Sequence, residues 1–176
     1  WRAYGNDGAY THYSPLDQID ASNVADLEIA WRWNGRNFGP NPFTRTQTTP
    51  LMVGGILYAT AGMTRTVVAI DPGIWRMDEG DRLGSAPRVN SGRGVSYWED
   101  ASGNGRIVVV TPGYHLAALD AKTGLPVEGF GQHGIVDLMA GHRNRADVDM
   151  VGSIGASSPA SIVGDVIVIG SAHHVG

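Results

Sequence analysis

Cysteine is missing from all 176 residues, which excludes a disulfide framework, a thiolate metal site and a cysteine nucleophile. Lysine occurs once, at Lys122, and charged residues of both signs make up only 17% of the chain. With 13 basic against 17 acidic residues the net charge is −4. The basic stripe of a nucleic-acid binder is therefore lacking, and no nucleic-acid partner is expected. No apolar run reaches the roughly 18 residues of a bilayer-spanning helix. The opening Trp1-Arg2-Ala3-Tyr4-Gly5 carries no basic-then-apolar leader, and a start at Trp1 leads to the expectation of a processed or truncated product. Glycine, by contrast, is abundant: 25 residues, about twice the usual share. Apolar residues at 42% suffice for a buried core.

The glycines punctuate short β-branched runs. Residues 49–53, Gly54-Gly55 and residues 56–60 read as strand, tight turn, strand, with 66–71 as a third strand. Residues 105–111 and 115–120 repeat the pattern, as do 159–163 and 166–170 around Gly164-Asp165. Only 17–30 carries a helical spacing, through Val24, Leu27 and Ala30, with Ser22 or Asn23 as the cap. The steps beginning at Gly55, Gly105 and Gly164 lie 50 and 59 residues apart. A four-stranded unit repeating at about 50 residues points to a β-propeller rather than one meandering sandwich. The expectation is an all-β chain of about two and a half four-stranded blades with a short N-terminal helix. A propeller needs at least about four blades to close, so residues 1–176 are expected to form an incomplete segment of one propeller domain.

Several ordered motifs then carry a family likeness. Trp1-x-x-Tyr4-Gly5, Tyr13-Ser14-Pro15-Leu16-x-x-Ile19, Asn23-Val24-x-x-Leu27-x-x-Ala30-Trp31, Thr49-Pro50-Leu51 and Gly92-Arg93-Gly94-Val95-Ser96-Tyr97-Trp98 resemble the N-terminal side of the quinoprotein dehydrogenases. Ala118-Leu119-Asp120-Ala121-Lys122-Thr123-Gly124 is similar to that family's blade-ending motif. Arg93–Tyr97 and Phe130-Gly131 look closer to the membrane-type glucose dehydrogenase and alcohol dehydrogenase branch than to methanol dehydrogenases. The resemblance implies an eight-bladed propeller holding pyrroloquinoline quinone (PQQ) on its axis with calcium or magnesium. It also implies a periplasmic location, an alcohol or sugar substrate, and a cytochrome or ubiquinone as electron acceptor. The remaining propeller segments of the same protein would complete the site.

PQQ is an ortho-quinone with three carboxylates, so its site needs fixed cations and hydrogen-bond donors. By resemblance, Arg93 matches an arginine at the quinone oxygens, a role that suits a planar and permanently charged guanidinium. Thr111 matches a hydroxyl facing a cofactor carboxylate. Gln47 stands where a glutamate usually meets the cofactor. Ser171 and Ala172 match cofactor-lining positions, and His174 falls at a metal-ligand position where the alcohol branch usually has a carboxylate. Calcium and magnesium prefer oxygen ligands, so most ligands are expected beyond Gly176, together with the catalytic base. No catalytic residue is assigned within 1–176. Departures from the family are Pro87-Arg88 where the alcohol branch places adjacent cysteines, and imperfect blade endings at Asp71–Trp75 and after Thr123-Gly124. Trp31, Trp33 and Trp75 are assigned to packing between blades. The competing class is a non-catalytic propeller of PQQ-like repeats serving as a protein-binding scaffold, which would have no reason to keep the Arg93 motif beside Thr111 and Ser171.

Overall fold

The computed structural model describes residues 1–29, 32–33, 46–62, 65–70, 92–140 and 154–173. Within them the regular secondary structure is antiparallel β apart from one 3₁₀ turn, as a β-propeller requires. Strands β1 (Leu51–Val53), β2 (Ile56–Ala61) and β3 (Thr66–Ile70) form one three-stranded meander. Strands β4 (Ser96–Glu99), β5 (Gly105–Val110), β6 (His115–Asp120) and β7 (Ile135–Asp137) form a four-stranded sheet in sequence order. Next come β8 (Ile154–Gly155), β9 (Ser161–Val163), β10 (Val166–Val168) and β11 (Ala172–His173), with β9 paired to β10 and β8 to β11.

The strands read as continuous apolar runs because the central sheet is buried on both faces, and successive residues point to opposite faces. On β5 and β6 the odd-numbered Ile107, Val109, Ala117 and Leu119 pack with Leu51, Tyr58, Val67 and Ala69 of the first sheet. The even-numbered Val108, Val110 and Leu116 pack with Ile154, Ala156 and Ala160 of the third unit, with Ile162 and Ile167 partly buried against them. On the far side of the first sheet, Ala59, Ala61 and Val68 are covered in part by Trp33, which places that tryptophan in packing as expected. Trp31 and Trp75 lie outside the described residues. The outer face of the β9–β10 hairpin is open, with Val163, Val166 and Val168 at 71%, 62% and 55% exposure.

Hairpin turns fall at Gly54-Gly55 and Gly164-Asp165, as the sequence pattern indicates. Gly105 opens β5, as the reading of 105–111 as a strand has it, and the turn before it is Asp100–Asn104, tied by the Asp100 carboxylate to the Ser102 and Asn104 N–H groups. The expected N-terminal helix is a correction. Only one 3₁₀ turn, Val24–Asp26, forms. The Asp20 carboxylate accepts from the Ser22 N–H at 2.7 Å, and the Asn23 side chain accepts from the Asp20 N–H at 2.9 Å and donates to the Gln18 carbonyl at 2.8 Å. Such local side-chain bonds compete with helix hydrogen bonding. Val24 and Leu27 are exposed, so no buried face compensates a costly helix nucleus. Asn23 flanks the turn without a side-chain cap.

The N-terminal segment staples the units together. Trp1 O accepts from Met52 N–H at 2.8 Å, Arg2 pairs with Glu99 at 2.7 Å, and Tyr10 Oη bonds to Ser161 Oγ.

Candidate functional site

The segment from Gly92 to Trp98 is a seam along the edge strand of the central sheet, and nearly every residue of it meets another unit. Arg93 N–H donates to Ser157 O at 2.8 Å, and Arg93 O accepts from Thr49 N–H at 2.7 Å. One backbone unit thus ties the first unit to the third. Gly94 continues the contact as a parallel bridge to Thr49. Gly94 has φ +136, and a Cβ there would lie 2.7 Å from Thr49 O, so both conformation and space require glycine. Val95 is fully buried, Ser96 Oγ donates to Ala160 O, and Trp98 Nε1 donates to Gly164 O at 3.1 Å.

With its backbone held at both sides, Arg93 presents a half-buried side chain, with Nη1 3.5 Å from the Ser158 hydroxyl. Gln47 is exposed, next to Thr48. Thr48 Oγ1 in turn accepts from Thr60 N–H at 3.2 Å and Thr60 Oγ1 at 3.1 Å. Ala172 is half-buried and pairs in β11 with Gly155, three residues from Ser158, and exposed Ser171 precedes it. Thr111 is buried, and its hydroxyl accepts from His115 N–H at 3.1 Å, closing the β5–β6 turn. An accepting hydroxyl still has a hydrogen to donate. His174 lies outside the described residues.

Two contributors to this neighbourhood have little signal in the sequence. Ser157 and Ser158 precede a proline and read as an ordinary turn, yet they meet Arg93 through a carbonyl and a hydroxyl. Arg65, between two apolar strands, reads as a solvated hairpin residue. Instead it is 5% exposed, and its Nη1 donates to Val110 O at 3.0 Å and to Ala156 O. Burial pulls its guanidinium down to about 10, still cationic at neutral pH. Arg65 therefore joins the Thr111 segment to the Ser157 segment.

Gln47, Arg93, Thr111, Ser171 and Ala172 thus sit on segments that belong to one connected hydrogen-bond and strand-pairing network. The donor set is the half-buried Arg93 guanidinium facing a hydroxyl, with serine and threonine hydroxyls and an amide, while the Arg65 guanidinium is bonded to backbone carbonyls. That composition fits an anion rich in carboxylates and carbonyl oxygens, and so fits PQQ. Among the described residues no group of three or more His, Asp or Glu side chains converges as a metal site. The Glu99 carboxyl, at the far end of β4 from Arg93, is committed elsewhere: it accepts from Tyr97 Oη at 2.6 Å and pairs with Arg2, and these contacts hold it below the usual range.

Two of the described histidines make surface contacts: His133 bonds to Glu128 at 2.7 Å, and His12 packs edge-on to Tyr4.

A family model described as the glucose/ethanol/alcohol dehydrogenase β-propeller domain matches residues 1–175. The chain is 30% identical, over 96% of its length, to the glycerol dehydrogenase large subunit of Gluconobacter oxydans (strain 621H), of which it covers 24%. It is 39% identical, over 72% of its length, to the quinohemoprotein alcohol dehydrogenase of Comamonas testosteroni, covering 17% of that protein. It is 28% identical, over 98% of its length, to the quinoprotein glucose dehydrogenase of Gluconobacter oxydans (strain 621H), covering 23%. The chain therefore spans about a quarter or less of the length of these curated relatives.

Proposed function

Because this chain belongs to the glucose/ethanol/alcohol dehydrogenase β-propeller family, we propose that it serves a PQQ-dependent dehydrogenase that oxidises an alcohol or aldose hydroxyl. The observation that carries this reading is Arg93, held on both sides of its backbone by Thr49 and Ser157 with its guanidinium beside the Ser158 hydroxyl. PQQ, when bound, supplies the two-electron acceptor.

The residues of this chain bind and orient. Arg93 offers a fixed cation to negative charge on the quinone oxygens, with its backbone already ordered before the ligand arrives. Ser171 and Gln47 are exposed polar residues on the segments tied to it, and Thr111 adds a hydroxyl at the turn. Ala172 leaves room for a flat ring, being small and held by strand pairing. No carboxylate within 1–176 is assigned as the base that takes the hydroxyl proton. Calcium or magnesium, a periplasmic setting, an eight-bladed ring completed by further segments, and a cytochrome or ubiquinone acceptor belong to the same proposal, with His174 as its one metal-ligand candidate here.

The test is reconstitution of the full-length protein with PQQ and calcium, following dye reduction with alcohols, glycerol and aldoses. The expected result is saturable PQQ uptake and substrate-dependent reduction, with Arg93→Ala weakening PQQ binding by roughly tenfold or more, as for a lost charged hydrogen bond. Absence of PQQ uptake, with flat rates on every substrate, would leave the scaffold reading instead.

A further inference from the structure

We infer that Arg65 is a positioning residue for the cofactor site, holding in register the three segments that present Arg93, Thr111 and the Ser157-Ser158 pair. This rests on the reading just given.

Arg65 belongs to the β2–β3 connection of the first sheet, yet its guanidinium reaches the other two units. One nitrogen donates both to Val110 O, immediately before Thr111, and to Ala156 O, immediately before Ser157. Ser157 O in turn accepts the Arg93 N–H. The Arg65 stem lies against the third segment as well: a Cβ on Gly92 would approach its Cδ to 3.1 Å and its Nε to 3.3 Å. Gly92, with φ +72, immediately precedes Arg93. Each of the three segments is thus touched by Arg65 one residue before the residue that matters. Arg65 itself takes φ +54, uncommon for a side chain of that size, so its backbone is committed to the geometry that sends the guanidinium inward.

Framework alone would be met by apolar packing, since a buried charge is weak support for stability. What the guanidinium adds is directional: fixed N–H vectors toward two carbonyls on different units. A lysine would keep the charge on a flexible stem without the fork. Outer partners that orient the ligands of a metal change its affinity by about 10- to 100-fold when replaced, and an effect at the lower end of that range is expected here. The site expected here is therefore one in which Arg93 depends on Arg65 through Gly92 and Ser157.

The experiment uses the full-length protein, stripped of cofactor and titrated with PQQ, comparing the parent, Arg65→Lys, Arg65→Gln, Arg93→Ala and Arg65→Lys combined with Arg93→Ala. Four quantities are measured: PQQ affinity, the absorbance band of the bound quinone, its midpoint potential, and the melting temperature of the cofactor-free form. Arg65→Lys is expected to melt close to the parent, bind PQQ about tenfold more weakly and shift the absorbance band. The double variant is expected to lose little beyond Arg93→Ala alone, because the two residues act as one unit. Parent-like affinity and absorbance in Arg65→Lys, or strictly additive losses in the double variant, overturn the inference while leaving the dehydrogenase reading intact. Failure of the parent itself to take up PQQ removes that reading, and this inference with it. Collapse of both Arg65 variants before any PQQ is added also overturns it, because Arg65 is then framework for the whole assembly.

Discussion

At the scale of single residues, the site is made of backbone as much as side chain. Gly94 illustrates this, because a methyl group there meets a carbonyl rather than a movable side chain. Gly94→Ala is expected to destabilise the full-length protein by about 3 kcal/mol, combining a strained positive φ with a broken bridge to Thr49. Chemical denaturation reads this, and a change under 1 kcal/mol would contradict the close approach. Arg93 was legible in the sequence because glycines on both sides mark a backbone that must turn and press close to something. Thr111 was legible as a position but not in its structural part, since its hydroxyl accepts from His115 N–H and closes the β5–β6 turn. Arg65 was not legible: an arginine between two strands looks like any solvated hairpin, and only the meeting of three distant segments makes it a buried donor.

Single elements behave as two-sided walls. Ile107, fully buried on the odd-numbered face of β5, joins the first sheet to the second. Ile107→Ala is expected to cost about 3 kcal/mol through lost burial and an unfilled cavity, measured by urea denaturation, whereas Leu125→Ala, at 66% exposure, should change little. The turn after β6 has its own acid sensitivity. Burial alone would raise the Asp120 carboxyl, but bonds from Thr123 N–H, Thr123 Oγ1 and Lys122 N–H, with the Lys122 charge, hold it below its usual value. A depressed folded-state value stabilises above the unfolded carboxyl's pKa of about 3.9 and is lost as pH falls through the lower folded value. Asp120→Asn should therefore flatten the pH dependence of stability below about pH 4, and an unchanged acid limb would refute this. The strands were readable as elements because uninterrupted runs such as Ile107-Val108-Val109-Val110 suit a sheet covered on both sides. The N-terminal helix was misread because Asp20 and Asn23 satisfy nearby backbone groups themselves, a competition that apolar spacing does not register.

On the scale of the whole molecule, sheets stack face to face and are stitched at one edge. The order of the units followed from the repeat, since each glycine-led hairpin marks one layer. The stitching did not, because Trp1 to Met52, Tyr10 to Ser161 and Arg93 to Ser157 join residues with no shared pattern. The exposed Arg2–Glu99 pair adds little energy, since such contacts are mostly screened; the same guanidinium lies over the Tyr97 ring, 5.1 Å from its centroid.

The odd and even faces of β5 answer to different neighbours, so the sheet counts residues by parity. Inserting or deleting one amino acid within Gly105–Val110 would exchange Ile107 and Val109 with Val108 and Val110, delivering each set to the wrong neighbour at once. Descendants of this chain are free to lengthen at a loop such as Asp100–Asn104, while a one-residue change inside a strand turns over every side chain that follows it.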